Sequence, residues 1–201
     1  KKLNFNNQEH LTGLEKDAVI MFCDLRGFTT LSEGKMPFDV VFILNKYFKL
    51  VTEAVTNNRG RIDKFIGDGV MAIFDQDLDT STNCKNALCA SSKIAESLTL
   101  LNSELSDEDI DTLRIGIGIH TGTAILGKMG YGQASSETAI GDTVNVASRL
   151  EQLTKNYSCQ LMFSAAVAEQ ASLNTSLLKS VETEIRGRKD LLQAFCCKNA
   201  A

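Results

Sequence analysis

Apolar and polar positions divide the chain into short alternating segments. Residues 18–23 (AVIMFC) form an unbroken apolar run ending in Asp24, the pattern of a central strand buried on both faces. Gly27 ends it. Between residues 38 and 55, apolar side chains return at Val40, Leu44, Tyr47, Val51 and Ala54, a helical period. Val41, Phe48 and Val55 add a second stripe, which predicts a helix covered on more than one side, with a partner subunit as one source of cover. Residues 61–66 and 70–74 flank Gly67-Asp68-Gly69 and predict a hairpin with a glycine-rich turn. A second helix is predicted over 83–101, with an acidic loop at 103–111. Leu113, Ile115, Ile117 and Ile119 then alternate with Arg114, Gly116, Gly118 and His120, a strand with one apolar face. Its two glycines leave the other face bare, so something must approach closely there. Residues 127–137 read as a loop, and Asp142 or Thr143 as the cap of a third helix reaching about Leu153. From Cys159 onward the pattern predicts two or three short strands around a small helix at 165–171.

The order β-α-β-β-α-β with strands appended is that of an α+β fold, a ferredoxin-like sheet with helices on one face. Residues 1–16 are polar and aperiodic and read as linker from a missing N-terminal region, leaving one domain over 17–201. The opening residue is Lys1 rather than Met, so the chain is expected to be part of a longer one that carries a sensor or regulatory region.

Composition narrows the classes. A 43% hydrophobic and 23% charged chain of 201 residues is that of a soluble globular domain, and no apolar run is long enough for a membrane span. A cytoplasmic setting without membrane contact is expected of this segment. The net charge of −4 argues against a general nucleic-acid binder while leaving room for a nucleotide site, which needs only local cations and a metal. Cys23, Cys84, Cys89, Cys159, Cys196 and Cys197 lack the paired spacing of a zinc site and read as reduced, buried thiols.

The candidate chemistry lies in a few pairs. Asp24 ends a strand that lies beside the predicted hairpin, so its carboxylate and that of Asp68 can converge. Such a pair suits Mg²⁺, which takes a few carboxylates, several waters and substrate phosphates; a loop cap at Asp24 and a turn residue at Asp68 would look the same. The loop Arg26-Gly27-Phe28-Thr29-Thr30 could cradle phosphate with its amides or merely lead into a helix. Asn145 and Arg149 are four apart and share a helix face, fit either for a ribose and phosphate or for a surface pair. Lys64 and Asp68 share a strand face if the strand stays regular. Lys64 and Thr138 carry groups that could read a purine. His120, with no partner near it in sequence, reads as structural.

Taken together these segments resemble the class III adenylyl and guanylyl cyclases. Phe22-Cys-Asp-Leu-Arg-Gly-Phe-Thr29, Lys64-Phe-Ile-Gly-Asp-Gly69 and Thr138-Ala-Ile-Gly-Asp-Thr-Val-Asn-Val-Ala-Ser-Arg149 are similar to that family's three signature segments, in order and spacing, within a match from about Asp17 to Phe195. The resemblance implies that Asp24 and Asp68, with the Leu25 carbonyl, hold two Mg²⁺ or Mn²⁺ ions. It implies that Lys64, Thr138 and Ala139 receive the base, that Asn145 orients the ribose, and that Arg149 stabilises the reacting phosphate. Gly27, Phe28, Thr29 and Arg188 are the implied phosphate contacts, with Arg186 or Lys189 as substitutes for Arg188. Lysine at 64 and threonine at 138 resemble a bacterial-type adenylyl cyclase, so the implied reaction is ATP to cyclic AMP and pyrophosphate in a head-to-tail homodimer. Guanylyl cyclase is the near rival, although such enzymes carry glutamate at the Lys64 position. A silent cyclase-like dimerisation or nucleotide-binding module is the rival from another class. Two departures stand out: residues 129–137 contain no arginine, and Glu137 replaces an aromatic or apolar residue.

Overall fold

A computed structural model describes residues 13–76, 79–106, 112–130, 135–184 and 191–200. The first apolar run is the centre of a long strand, β1 (Gly13–Leu25), which reaches back through residues 13–16, the end of the stretch that reads as linker. A short helix α1 (Phe28–Glu33) follows. Next comes α2 (Pro37–Asn57), opened by a proline in its first turn, where no backbone N–H is needed. The hairpin is β2 (Arg61–Ile66) and β3 (Gly69–Phe74). Helix α3 (Thr80–Ser106) starts where Asp79 accepts from the Thr82 N–H at 2.9 Å and runs on into the predicted acidic loop. Strand β4 (Ile115–Met129) and strand β5 (Ser136–Ile140) occupy both ends of the stretch that reads as a loop. Helix α4 (Asp142–Asn156) is preceded by Gly141, and no side chain caps it; Thr143 instead donates to the Thr123 carbonyl at 2.7 Å. Strand β6 (Leu161–Ser164), α5 (Ala165–Gln170), β7 (Lys179–Thr183) and β8 (Leu192–Cys197) complete the described chain.

The sheet order is β2-β3-β1-β4-β6-β8-β7, with β5 paired to the far end of β4. Its first four strands are the ferredoxin-like arrangement, and β6, β8 and β7 are the appended strands. β1 and β4 pair from Gly13↔Gly127 to Leu25↔Ile115, the spine of the sheet.

Alternation along these two strands separates the faces. Val19, Met21, Cys23 and Leu25 join Ile115, Ile117 and Ile119 beneath α2, α3 and α5. Ala18 and Ile20 face the other way with Met71, Ile73, Ala124 and Ala139, and Ala147 of α4 covers them. The helices therefore do not all lie on one face: α4 packs on the side opposite α2 and α3. The bare glycines of β4 are the reason. A Cβ on Gly118 would collide with the α4 backbone at Ala147 and Glu151, and one on Gly116 would collide with the Arg26 guanidinium.

The second stripe of α2 is largely covered within the chain. Val55 is buried, and Phe48 packs against Phe65 of β2 with ring centroids 4.5 Å apart. Only the start of the helix is left uncovered, with Phe38 85%, Val41 54% and Phe42 45% exposed. Four cysteines are buried, but Cys89 is exposed on α3 and Cys197 half-buried, so not all six thiols serve as core side chains. Among the described residues no helix is long and apolar enough to cross a membrane.

Candidate active site

Asp24 stands on the α4 face at the end of β1, one residue past the Cys23↔Val70 pair that joins β1 to β3. The β2–β3 turn brings Asp68 to it. Gly67 takes φ +61°, a left-handed turn that suits glycine, and Gly69 carries no side chain where a Cβ would stand 3.2 Å from Asp24 Oδ1. The two carboxyl groups are close enough for each charge to act on the other. Burial, reinforced by the Asp68 charge and that of Glu151, pushes Asp24 up to about 7 against the opposing pull of Arg26. Two carboxylates brought together at a half-buried sheet end favour a proton or a cation between them. Among the described residues no group of three or more His, Cys, Asp or Glu is placed to hold a metal ion. A divalent ion held by this pair would have to complete its shell with water and phosphate oxygens.

Behind this pair lies a charged brace. Arg26 donates its backbone N–H to the Arg114 carbonyl at 2.7 Å. Its guanidinium donates to the Glu151 carbonyl at 2.9 Å and to the Thr154 hydroxyl, and pairs with the Glu151 carboxylate at 2.9 Å. Burial raises the Glu151 pKa, Arg26 opposes that shift, and the Asp68 charge adds to it. Gly27 follows at φ +69° and opens α1, whose Phe28 leans on the core while Thr29 is exposed. A cavity of about 710 Å³ opens beside Asp24 and Gly27, lined among others by Arg114, Lys155 and Lys198.

Of the second group of site residues, Lys64 and Ala139 lie on the α4 side of the sheet, while Thr138, next to Ala139 on β5, alternates to the other side. Strand β2 is bulged between Ile62 and Lys64, so Asp63 is an extra residue in the ladder and Lys64 pairs with Met71, which belongs to the α4-side core. Thr138, buried on β5 opposite Gly127, donates its hydroxyl to Asp63 Oδ2 at 2.7 Å. Lys64 Nζ is 3.3 Å from the same oxygen. Ala139 is buried in the α4-side core. Glu137 sits across from Lys128 in the β4–β5 register, and strand alternation turns it away from the Thr138 face.

On α4, Val146, Ala147 and Leu150 face inward, while Asn145 and Arg149 are exposed one turn apart. Arg149 Nη1 donates to Gln152 Oε1 at 3.5 Å. Arg186, Arg188 and Lys189 lie outside the described residues. His120 is buried with Nδ1 2.7 Å from the Ser164 hydroxyl, the structural place its sequence context suggests.

Sequence reasoning assigned nothing to Asp63, Arg114 or Glu151. Arg114 left no signal, since the bare face beside it is filled by Arg26 and the α4 backbone. The roles of Asp63 and Glu151 depend on a bulge and on a helix crossing, neither of which leaves a periodicity.

Known proteins share this fold. Residues 13–198 match the family model of the adenylate and guanylate cyclase catalytic domain. An adenylate cyclase of Anabaena cylindrica is 36% identical over 184 residues, 88% of this chain and 36% of that protein. The crystal structure of the guanylyl cyclase Cya2 superposes with a TM-score of 0.83 at 27% identity, covering 92% of this chain and 93% of that one. The adenylyl cyclase CyaB from P. aeruginosa gives 0.79 at 25% identity, covering 92% and 95%. The chain thus belongs to the class III adenylate and guanylate cyclase family, as a catalytic domain. It spans about a third or less of the length of the first curated relatives it matches.

Proposed function

We propose that this domain is an adenylyl cyclase that converts ATP to 3′,5′-cyclic AMP and pyrophosphate in a homodimer. The observation that carries the nucleotide choice is the convergence of Lys64 and Thr138 on one buried carboxylate, 3.3 and 2.7 Å from Asp63 Oδ2. That places an ammonium donor beside a hydroxyl in a family that cyclises purine nucleotides.

In this reading Asp24 and Asp68, with the Leu25 carbonyl, hold two Mg²⁺ or Mn²⁺ ions, which when bound neutralise phosphate charge and acidify the ribose 3′-hydroxyl. The amides of Gly27, Phe28 and Thr29 hold the triphosphate, with Arg188 as a further cation. Lys64, Thr138 and Ala139 receive the adenine, Asn145 orients the ribose, and Arg149 brings positive charge to the α-phosphate as its charge grows. The 3′-oxygen attacks the α-phosphorus in line, the bond to the bridging oxygen breaks, and pyrophosphate leaves with release of the hydroxyl proton. Positioning and charge stabilisation supply most of the acceleration.

The exposed apolar start of α2, with Phe65 50% and Ile66 54% exposed beside the Asp68 turn, supports a second copy of the chain as the partner. In such a dimer one protomer's aspartates face its partner's base and phosphate groups, and two-fold symmetry gives two equivalent sites. The test is the purified chain with ATP or GTP and Mg²⁺ or Mn²⁺ over a protein concentration series. Cyclic AMP as the main product, with specific activity rising with concentration, is the expected result. Cyclic GMP as the main product, or no cyclic nucleotide at any concentration, would overturn it.

A further inference from the structure

The bulge in β2 inserts a third group between the two base-facing side chains, and its chemistry limits what they can read. The Asp63 side chain is 0% exposed. Its Oδ2 accepts the Thr138 hydroxyl proton at 2.7 Å, while Oδ1 lies 3.9 Å from the Arg61 guanidinium, which is itself drawn to Asp75 at 3.3 Å. A hydroxyl has one proton and two lone pairs; an ammonium has three protons and none; a carboxylate accepts only. With its proton given to Asp63, Thr138 can offer a ligand only lone pairs. Lys64, sharing the same oxygen, still has protons to spare.

We propose that Asp63 is a positioning residue for nucleotide selection: by taking the Thr138 proton it leaves the pocket with one donor, Lys64, beside one acceptor, Thr138. This rests on the reading of Lys64 and Thr138 as the base-facing pair. The complement of such a pocket is a purine edge with a ring-nitrogen acceptor next to an exocyclic amino donor. A 6-oxo purine reverses both positions, setting its oxygen against the Thr138 lone pairs and its ring N–H against the ammonium. A threonine hydroxyl free to rotate could donate to that oxygen and tolerate it. Asp63 removes the freedom without touching the nucleotide. The bulge is what makes this possible, because in a regular strand neighbours point to opposite faces and Asp63 could not share an oxygen with Lys64 and Thr138.

The test compares kcat/KM for ATP and GTP in the unmutated chain, Asp63→Ala, Asp63→Asn, Thr138→Val and the Asp63→Ala/Thr138→Val pair. Asp63→Ala should lower the ATP-over-GTP ratio about tenfold, the scale on which a mismatched polar group discriminates. Asp63→Asn, whose amide oxygen still accepts, should keep more of the ratio than Asp63→Ala. In the Thr138→Val background Asp63→Ala should leave the ratio unchanged, since no hydroxyl remains to orient. A merely structural role would lower both nucleotides alike, so a ratio within twofold of the unmutated chain overturns the proposal. If circular dichroism shows that Asp63→Ala does not fold, the unmutated chain supplies the measurement. Inosine triphosphate, with its 6-oxo group, should turn over more slowly than purine riboside 5′-triphosphate, which has nothing at C6; equal or faster turnover overturns the proposal. An unmutated chain that prefers GTP sinks the adenylyl cyclase reading instead, a result distinct from either of these.

Discussion

The guanidinium of Arg26 occupies the space above Gly116 that a side chain on β4 would otherwise fill. Register puts Gly116 directly across from Asp24, so the brace lies immediately behind the carboxylate at the end of β1. Gly116→Ala should displace Arg26 and cost about 1–3 kcal/mol, the usual penalty for an added methyl in a packed site. Gly118→Ala should cost more, because it meets the backbone of α4 rather than a side chain that can swing away. Urea unfolding of both variants checks the order; an unchanged midpoint for Gly118→Ala would refute the close approach of α4.

Arg26→Ala removes the partner of a carboxylate whose side chain is only 9% exposed. Breaking a buried pair from one side costs about 3–5 kcal/mol. The loss should depend on pH. The Glu151 pKa is raised in the folded protein by burial, and Arg26 opposes that shift. Without Arg26 the folded value rises further above the unfolded one. The folded protein then keeps a proton that the unfolded chain has released, so stability is present below the unfolded pKa and is lost as pH rises through the folded one. Thermal unfolding should show a larger deficit at pH 8 than at pH 5, and adding Glu151→Gln should flatten the difference. A deficit that grows toward acid would contradict this account.

Asp24→Asn or Asp68→Asn should abolish cyclic nucleotide formation, because a carboxamide is a poor ligand for Mg²⁺. In metal-free buffer neither variant should unfold earlier than the parent, since each relieves the repulsion of two facing carboxylates. Mn²⁺ should raise the Tm of the parent and leave that of both variants unchanged. Activity within a few-fold of the parent would remove the assignment.

Asp24→Asn and Arg149→Ala should complement each other. Each homodimer carries its lesion in both sites, whereas a mixed dimer gathers both lesions into one site and leaves the other whole. After random exchange of equal amounts, half the dimers have one good site of two, so about a quarter of the parental activity should return. Cyclic AMP formed by the mixture, compared with each protein alone at equal total concentration, is the measurement. A dead mixture of demonstrably exchanging subunits would mean that the site is not shared between chains.

Local chemistry was enough for much of this protein. A buried strand has to be continuously apolar, a hairpin needs its glycines, and a helix repeats every 3.6 residues; the existence of β1, α2, the β2–β3 hairpin and the bare face of β4 follows from those rules alone. So does the convergence of Asp24 and Asp68, since β1 and the hairpin are neighbours in any sheet of this order. Other features depend on residues far apart in the chain. Whether α4 crosses the front or the back of the sheet is decided by which face of β4 lacks side chains and by what else competes to cover it. The ends of β4 and β5 looked like loop because glycine and serine carry no strand signal, and only pairing with β1 and with each other made them strands. The Arg26–Glu151 pair joins residues 125 apart, and the Asp63–Thr138 bond joins residues 75 apart. Neither pair is in contact until the sheet has closed, and nothing in a linear pattern records a meeting that only burial enforces.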